Sequence, residues 1–262
     1  MRFSIITICW NNLPGLKSTY SSVKTQTLSD YEWIVVDGAS DDGTVDFLNS
    51  LNEPKLTFVS EPDKGLYDAM NKGIKLAKGD YMVFMNSGDL FAAEDTLEEV
   101  SSVIDNNPGV IFIYGDALDF DMNENTYYRK SRSYKKIKRG MITQHQSMYF
   151  ARLDSSKQIR YSLQYPYSAD YDFIIRYFKL CKSPSEIVQI DKPLSRFQLG
   201  GLNETKRFEA IREDFLIRRR ELQLNLAKNS FLLAAHYLHT HLKRWIPGLM
   251  KRVRYSSKDK GS

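Results

Sequence analysis

Cysteine is nearly absent from this sequence. Its 262 residues hold only Cys9 and Cys181, far apart and without the close pairing of a metal cluster or a redox motif. A disulfide framework and a zinc-type site are therefore excluded, and a reducing compartment is expected. Long apolar runs are also missing: none approaches the roughly 20 residues that a membrane-spanning helix requires. Arg2 leads directly into a short strand-like run and then into Asn11-Asn12, which is not the pattern of a secretory leader. No internal repeat or low-complexity segment interrupts the chain. With 42% hydrophobic and 13% aromatic residues, it has the composition of one large globular domain, or of one domain with an appendage, and not of a disordered chain.

Acidic charge is scarce at one end only. From Lys206 to Ser262 there are 14 Lys/Arg against 5 Asp/Glu, a net of +9, although the whole chain carries only +5. The first 205 residues are therefore mildly acidic, with a net of −4. A basic tail on an acidic body expects either an anionic partner, such as a membrane surface, or simply a solvated helical face.

The first 90 residues alternate between two patterns. FSIITIC (Phe3–Cys9), YEWIVV (Tyr31–Val36), Leu56–Val59 and YMVFM (Tyr81–Met85) are short apolar runs that read as buried strands. Between them Leu16–Gln26, Thr44–Leu51 and Gly65–Ala77 have helical spacing. This alternation predicts an α/β fold, a mostly parallel sheet flanked by helices. In such sheets ligands bind beyond the carboxyl ends of the strands. Asn11-Asn12, Asp37 and Asn86 to Asp89 all fall there. Beyond Leu90 the pattern loosens. Strands are expected at Val110–Tyr114 and Met148–Phe150, and a helix at Asp170–Phe178 with Ser168 or Asp170 near its cap. Tyr127 to Arg139 is rich in Tyr, Lys and Arg. Two helical segments, Phe208–Leu226 and Phe231–Trp245, follow, and disorder is expected past Tyr255.

Several fragments together, SIITICWNN, QTLSDYEWIVVDGASDDGT, SEPDKGLYDAMNKGIKLAKGDYMVFMNSGD and SADYDFIIRYF, resemble the family 2 glycosyltransferases of the GT-A (Rossmann-like) fold. The likeness runs continuously over about 3–90 and in order to about 201. It is strongest to bacterial enzymes of O-antigen, capsule or colanic-acid assembly. The resemblance implies a catalytic domain over 1–205, with a nucleotide-binding half (1–90), an acceptor half (91–205) and a basic helical extension (206–262). It implies an inverting transfer from a nucleoside-diphosphate sugar, with UDP favoured, to a polyprenyl-diphosphate-linked saccharide. It further implies a divalent cation, Mn or Mg, and a cytoplasmic enzyme held at the inner leaflet by its basic C-terminal helices.

The resemblance also assigns residues. Thr7 and Asn11 match the first loop that touches the nucleoside, and Asp37 the acid that recognises the base. Asp63, Lys64 and Asp68 flank ribose and diphosphate, and Asn71 belongs to the helix motif. Asn86, Ser87 and Gly88 lead to Asp89, the last aspartate of a DXD-type motif and the expected metal ligand. Asp170 matches the catalytic base; the plainer alternative makes it a helix N-cap, with Asp172 expected to be merely exposed. Asn-Ser-Gly-Asp leaves one aspartate where relatives often have more, and Met70 replaces a frequent arginine, so Lys64 or Lys72 is a candidate for the missing charge. His145 and Gln146 border the expected acceptor pocket and are candidates for contact with acceptor or diphosphate. FQLGGLN (Phe197–Asn203) is similar to a loop that closes over the donor.

Competing readings remain: a nucleotidyltransferase, or a nucleotide-sugar- or nucleic-acid-binding module without catalysis. The first needs a Gly-rich basic loop after the first strand, and Cys9 to Leu13 offers none. Nucleic-acid binding finds no motif in the acidic body, and a polysaccharide synthase would need membrane spans.

Overall fold

The computed structural model describes residues 1–121, 123, 125–153, 159–199 and 206–245. Strands β1 (Phe3–Cys9), β2 (Tyr31–Asp37), β3 (Leu56–Ser60) and β4 (Tyr81–Phe84) lie in the spatial order β3-β2-β1-β4, all parallel. Every residue of β1 and β2 is buried, which is why they read as unbroken apolar runs. Beyond β4 the pairings become mixed. β8 (Met148–Ala151) runs antiparallel to β4 and to β6 (Phe112–Phe120). β9 (Ile187–Gln198) runs parallel to β6 and antiparallel to the short β5 (Leu90–Phe91), and β7 (Thr126–Arg129) closes a hairpin on β6.

The alternation of each strand sorts its side chains into two cores. On one face Phe3, Ile5, Cys9 and Trp33 pack beneath α1 (Leu13–Lys24), α2 (Thr44–Ser50) and α4 (Thr96–Asn106). On the other, Ile6, Ile8 and Phe84 meet α3 (Leu66–Leu76) and α5 (Ala169–Phe178). A methyl group on Gly73 would stand 2.4 Å from Ile6 Cγ2, so this glycine lets α3 lie close on β1.

The C-terminal helices are α6 (Arg207–Glu221) and α7 (Leu226–Trp245). The expected break between them falls earlier, because Gln223 takes a positive φ of 49° and the Asn225 side chain accepts the Lys228 N–H at 2.9 Å, capping α7. The fully buried Arg218 of α6 donates from Nε to Asn229 Oδ1 of α7 at 2.7 Å, tying the two together. The helix pair rests on α5 through Ser168 Oγ, which donates to Ala210 O at 3.1 Å, and through Glu213, which accepts the Tyr167 N–H at 2.9 Å. No helix among the described residues is long and apolar enough to cross a membrane. The expected disorder past Tyr255, and Gly200-Gly201 of the expected closing loop, lie outside the described residues.

Candidate active site

The register Cys9↔Asp37↔Ser60 places the carboxyl ends of β1, β2 and β3 side by side. The segment after β4 joins them through Met85 N–H to Ile6 O and Ser87 N–H to Ile8 O. The loops on this edge bind one another. Asn12 caps α1 through the Gly15 N–H and donates to Ser87 O at 3.2 Å, while Ser87 Oγ donates to Asn12 O at 2.9 Å. Asn11, at φ 46°, accepts the Asp41 N–H at 3.0 Å. Asn86 keeps a buried Oδ1 without a hydrogen-bond partner. Gly88 needs its φ of 100°, and a methyl group there would stand 3.2 Å from Gln198 Oε1. The end of β9 thus reaches this loop, which brings Gln198, the second residue of the segment expected to close over the donor, to the donor edge.

Two expected nucleotide residues are turned inward. Thr7 is fully buried on the Trp33 face, where its hydroxyl donates to Met85 O at 2.7 Å and accepts from Trp33 Nε1 at 2.9 Å. Strand alternation puts it in the core, so its hydroxyl braces the edge from below and is not offered to a ligand. Asp37 is also fully buried, its carboxylate accepting from Ser40 N and Oγ and from Ser60 Oγ. It shapes the turn after β2. The groups that stay accessible beside Gly38 are Asp63 and Trp10. A methyl group on Gly38 would come 2.8 Å from Asp63 Oδ2 and 3.2 Å from Trp10 Cδ1, and Trp10 is 68% exposed. A lone tryptophan at a strand end was the available signal for this slot.

The loop into α3 is held by its own carboxylates. Asp63 Oδ1 accepts the Gly65 N–H and Asp68 Oδ2 the Lys64 N–H. Lys72 is occupied with Glu61 at 2.9 Å and with Pro62 O, which leaves the exposed Lys64 as the cation facing solvent beside the loop. Asn71 does not face the donor edge: its amide spends both ends on the Tyr161 backbone, donating to O at 3.0 Å and accepting from N–H at 2.8 Å. It is a staple between α3 and the segment leading to α5.

That staple sets the second wall. Tyr67 stacks on Tyr161 at 5.5 Å, and Tyr161 on Phe173 at 4.2 Å. Asp170 stands in the first turn of α5, with Oδ1 accepting the Tyr171 N–H at 2.8 Å and the Tyr67 hydroxyl at 3.4 Å. Burial pushes its pKa up to about 6, against the lowering effect of the Tyr171 N–H, and the nearby Asp214 charge pushes the same way. Asp172, expected to be exposed, is 2% exposed and ion-paired with Arg176 at 2.7 Å. Two residues further, and so about half a turn round the helix, it faces the core side, and the two aspartates are not interchangeable.

The two walls meet at the short 3₁₀ turn His145–Ser147. Gln146 is buried and donates from Nε2 to Asp89 Oδ2 at 2.7 Å. Burial pushes Asp89 up to about 7, partly offset by the Gln146 bond. His145 lies among Phe84, Phe150 and Tyr161, bonded through Nε2 to the Tyr161 hydroxyl at 2.8 Å, and burial pushes its pKa down to about 3. It is a neutral strut of the core. Both candidates for contact with acceptor or diphosphate are buried, and their hydrogen bonds are internal: Gln146 holds Asp89 and His145 holds the aromatic wall behind Asp170.

A polar edge at the ends of parallel strands, a buried aspartate after β4 and an aspartate of raised pKa at a helix start are parts that fit a glycosyltransferase of the GT-A fold. The model of glycosyl transferase family 2 matches residues 4–160, more than half of the chain, and the chain belongs to that family. The PGL/p-HBAD biosynthesis glycosyltransferase of Mycobacterium bovis (strain BCG / Pasteur 1173P2) is 33% identical over 213 residues, covering 78% of this chain and 79% of that protein. Two solved structures share the fold. S. aureus TarS 1-349 in complex with UDP aligns at TM-score 0.63 and 20% identity, covering 93% of this chain and 72% of that one. The mannosyltransferase PcManGT from Pyrobaculum calidifontis, in complex with GDP-Man and Mn2+, aligns at TM-score 0.65 and 17% identity, covering 94% and 72%.

Proposed function

We propose that this glycosyltransferase moves a hexose from a UDP-sugar, with inversion, to a hydroxyl of a lipid-diphosphate-linked saccharide in bacterial surface-polysaccharide synthesis. The observation that carries the reading is Asp170: a carboxylate at a helix start, raised to about 6 by burial, between the donor edge and the segment that borders the acceptor side. A base with a pKa just below the working pH is mostly ionised and still strong enough to take a hydroxyl proton in the transition state. The UDP and GDP-Man complexes of the two structural neighbours support a nucleoside-diphosphate donor. The body at 1–205 is then the catalytic unit and 206–262 its basic extension, which brings the enzyme to the inner face of the cytoplasmic membrane.

Roles on the donor edge follow from exposure. Trp10 offers a face for stacking the base, Asp63 an acceptor for its N–H, and Asn11 and Asp68 the loops around the ribose. Lys64 lines the diphosphate path, opposite the Asn86–Ser87–Gly88 loop, whose own N–H groups at 87 and 88 are held by Ile8 O and Thr19 Oγ1. For a divalent cation the fit is partial but coherent. No cluster of three His, Cys, Asp or Glu stands ready among the described residues. Asp89 and the unpartnered Asn86 Oδ1 are two oxygens on one short loop, and Mg²⁺ or Mn²⁺ in such sites takes its other oxygens from phosphate and water. When bound, the ion offsets the charge of the departing diphosphate. Asp170 removes the acceptor proton, and Tyr67 fixes the carboxylate in place.

The test is Asp170→Asn assayed with UDP-, GDP- and dTDP-sugars and Mn or Mg. Transfer should fall by about 10³-fold, in the range of a lost general base, while UDP affinity measured by calorimetry stays within about threefold. In the parent, kcat/KM should rise with pH up to about 6 and then level, as the base ionises. Retained transfer in Asp170→Asn removes the base assignment.

A further inference from the structure

The described surface holds a long apolar stripe that stays exposed. On α7 the residues Phe231, Leu238, Leu242 and Trp245 are 74%, 61%, 37% and 83% exposed. Their spacing of seven, four and three places them on one side of the helix, a stripe about 20 Å long. The opposite side carries the buried Asn229 and Thr240 and faces α6. Beside the first turns of α7 lies a cavity of about 430 Å³, floored by Leu224, Ala227, Phe231 and Leu232 and rimmed by Lys138, Arg139 and Lys228.

The rim comes from a distant part of the chain. Tyr134–Arg139 forms a 3₁₀ helix whose Ile137 is buried and whose Ile137 carbonyl accepts the Tyr171 hydroxyl at 2.7 Å. That anchor fixes the turn rigidly to α5 and turns Lys135, Lys136, Lys138 and Arg139 outward. All four are exposed, and none makes an ion pair among the described residues. A methyl group on the adjoining Gly140 would stand 3.6 Å from His236 of α7, so the cationic turn and the apolar helix are direct neighbours. Two segments about 100 residues apart thus make a single cationic and apolar face.

We propose that this face is a docking surface for a bilayer rich in anionic phospholipid, with the α7 stripe in the headgroup region and Lys135, Lys136, Lys138, Arg139 and Lys228 on lipid phosphates. Charge selects this occupant. A second copy of the chain would bring the same cations against each other, and the tail beyond Trp245, with five Lys/Arg and one Asp, would be repelled by the same rim. An anionic interface satisfies both the cations and the stripe. Orientation agrees. Phe208 at the start of α6 stacks on Tyr237 and meets His241 of α7, and the same turn of α6 supports the start of α5 through Ala210. The helix that carries the stripe is therefore joined through α6 to the helix start that carries Asp170. The purpose of the surface rests on the proposed lipid-borne acceptor; its existence does not.

The test is sedimentation of the full chain with phosphatidylglycerol-containing and pure phosphatidylcholine vesicles, with UDP-sugar hydrolysis and circular-dichroism melting run on each preparation. The parent should bind the anionic vesicles at least tenfold better than the neutral ones. Replacing Lys135, Lys136, Lys138 and Arg139 together by Gln should weaken that binding on the order of 100-fold, leaving hydrolysis and melting unchanged. Phe231→Ser with Leu238→Ser should weaken it in a salt-independent manner. Unchanged binding of the fourfold variant overturns the proposal, as does equal binding to both vesicle types. A concentration-dependent dimer in light scattering that dissociates in the double Ser variant, with vesicle binding intact, also overturns it by assigning the stripe to a second copy. Loss of hydrolysis in the parent instead counts against the glycosyl-transfer reading, independently of where the protein sediments.

Discussion

The donor edge and the wall that carries Asp170 are built by different means. The edge consists of short loops that bond to their own and adjacent backbones: Asn12 with Ser87, Asn11 with Asp41, Asp42 with Leu13, Asp63 with Gly65. Each satisfies polar groups freed where a strand ends, most of them across neighbouring loops and one, Asp63 with Gly65, within its own turn. The wall has few such bonds. It is a stack of rings, Tyr67, Tyr161 and Phe173, backed by Phe84, Phe150 and a neutral His145. A loop edge can adjust to a ligand one turn at a time, whereas a ring stack transmits any displacement to Asp170. The 3₁₀ turn at His145–Ser147 belongs to both, which makes the separation of Asp89 and Asp170 a property of the core.

Changes on either side of that turn should break the comparison in different ways. The largest effect on the donor edge is expected from Asp89→Asn. Metal-dependent UDP binding should fall by about 100-fold, while metal-free binding stays the same; titrations with and without Mn would reveal it, and equal losses in both would separate Asp89 from the cation. The same change should stabilise the free protein. The Asp89 pKa is raised on folding to about 7, so its ionisation opposes folding. Stability conferred by the protonated acid is complete below about pH 4 and is lost as pH rises through 7. Asp89→Asn should therefore be more stable to urea than the parent at pH 8 in the presence of a chelator, by no more than about 4 kcal/mol, and the gain should vanish near pH 4.

Gln146→Leu tests the junction itself. Without the Nε2 donor, the Asp89 carboxylate loses its buried partner, and metal-dependent donor affinity should drop about tenfold, as expected for a group that orients a ligand. The pH midpoint for metal binding should rise. If transfer falls while donor affinity does not, the turn acts on the Asp170 wall instead. The smallest effect on chemistry is expected from Gly73→Ala. The added methyl meets Ile6 Cγ2 and should cost about 1–3 kcal/mol of stability, seen as a lower urea midpoint, with UDP affinity unaltered.

Much of the edge was legible in the sequence because its causes are local. Buried parallel strands are continuous apolar runs, and their ends carry the Asn, Ser, Gly and Asp that turns require, so β1 to β4 and the loop ending in Asp89 were found within a residue or two. Beyond Leu90 the signals conflict. β9 carries Asp191, Lys192 and Pro193, and its register against β6 shifts at that point, so no alternation survived to be read. α4, with Glu98 and Glu99 in its first turn, was also passed over. Asp170 was legible through its motif, but Tyr67 and Tyr161 were not, since nothing along the chain says that they converge.

The sequence by itself determined the α/β frame, the loop chemistry at the strand ends, the family and the basic tail. Each rests on residues close together in the chain. Only the tertiary structure decided which of those residues face the cleft. It turned Thr7 and Asp37 inward and committed Asn71 to the backbone of Tyr161. It made His145 and Gln146 supports for two aspartates, and it set the cationic turn at 134–139 beside α7. Strand alternation, burial and ring packing decide side-chain direction, and those depend on partners that lie tens of residues away.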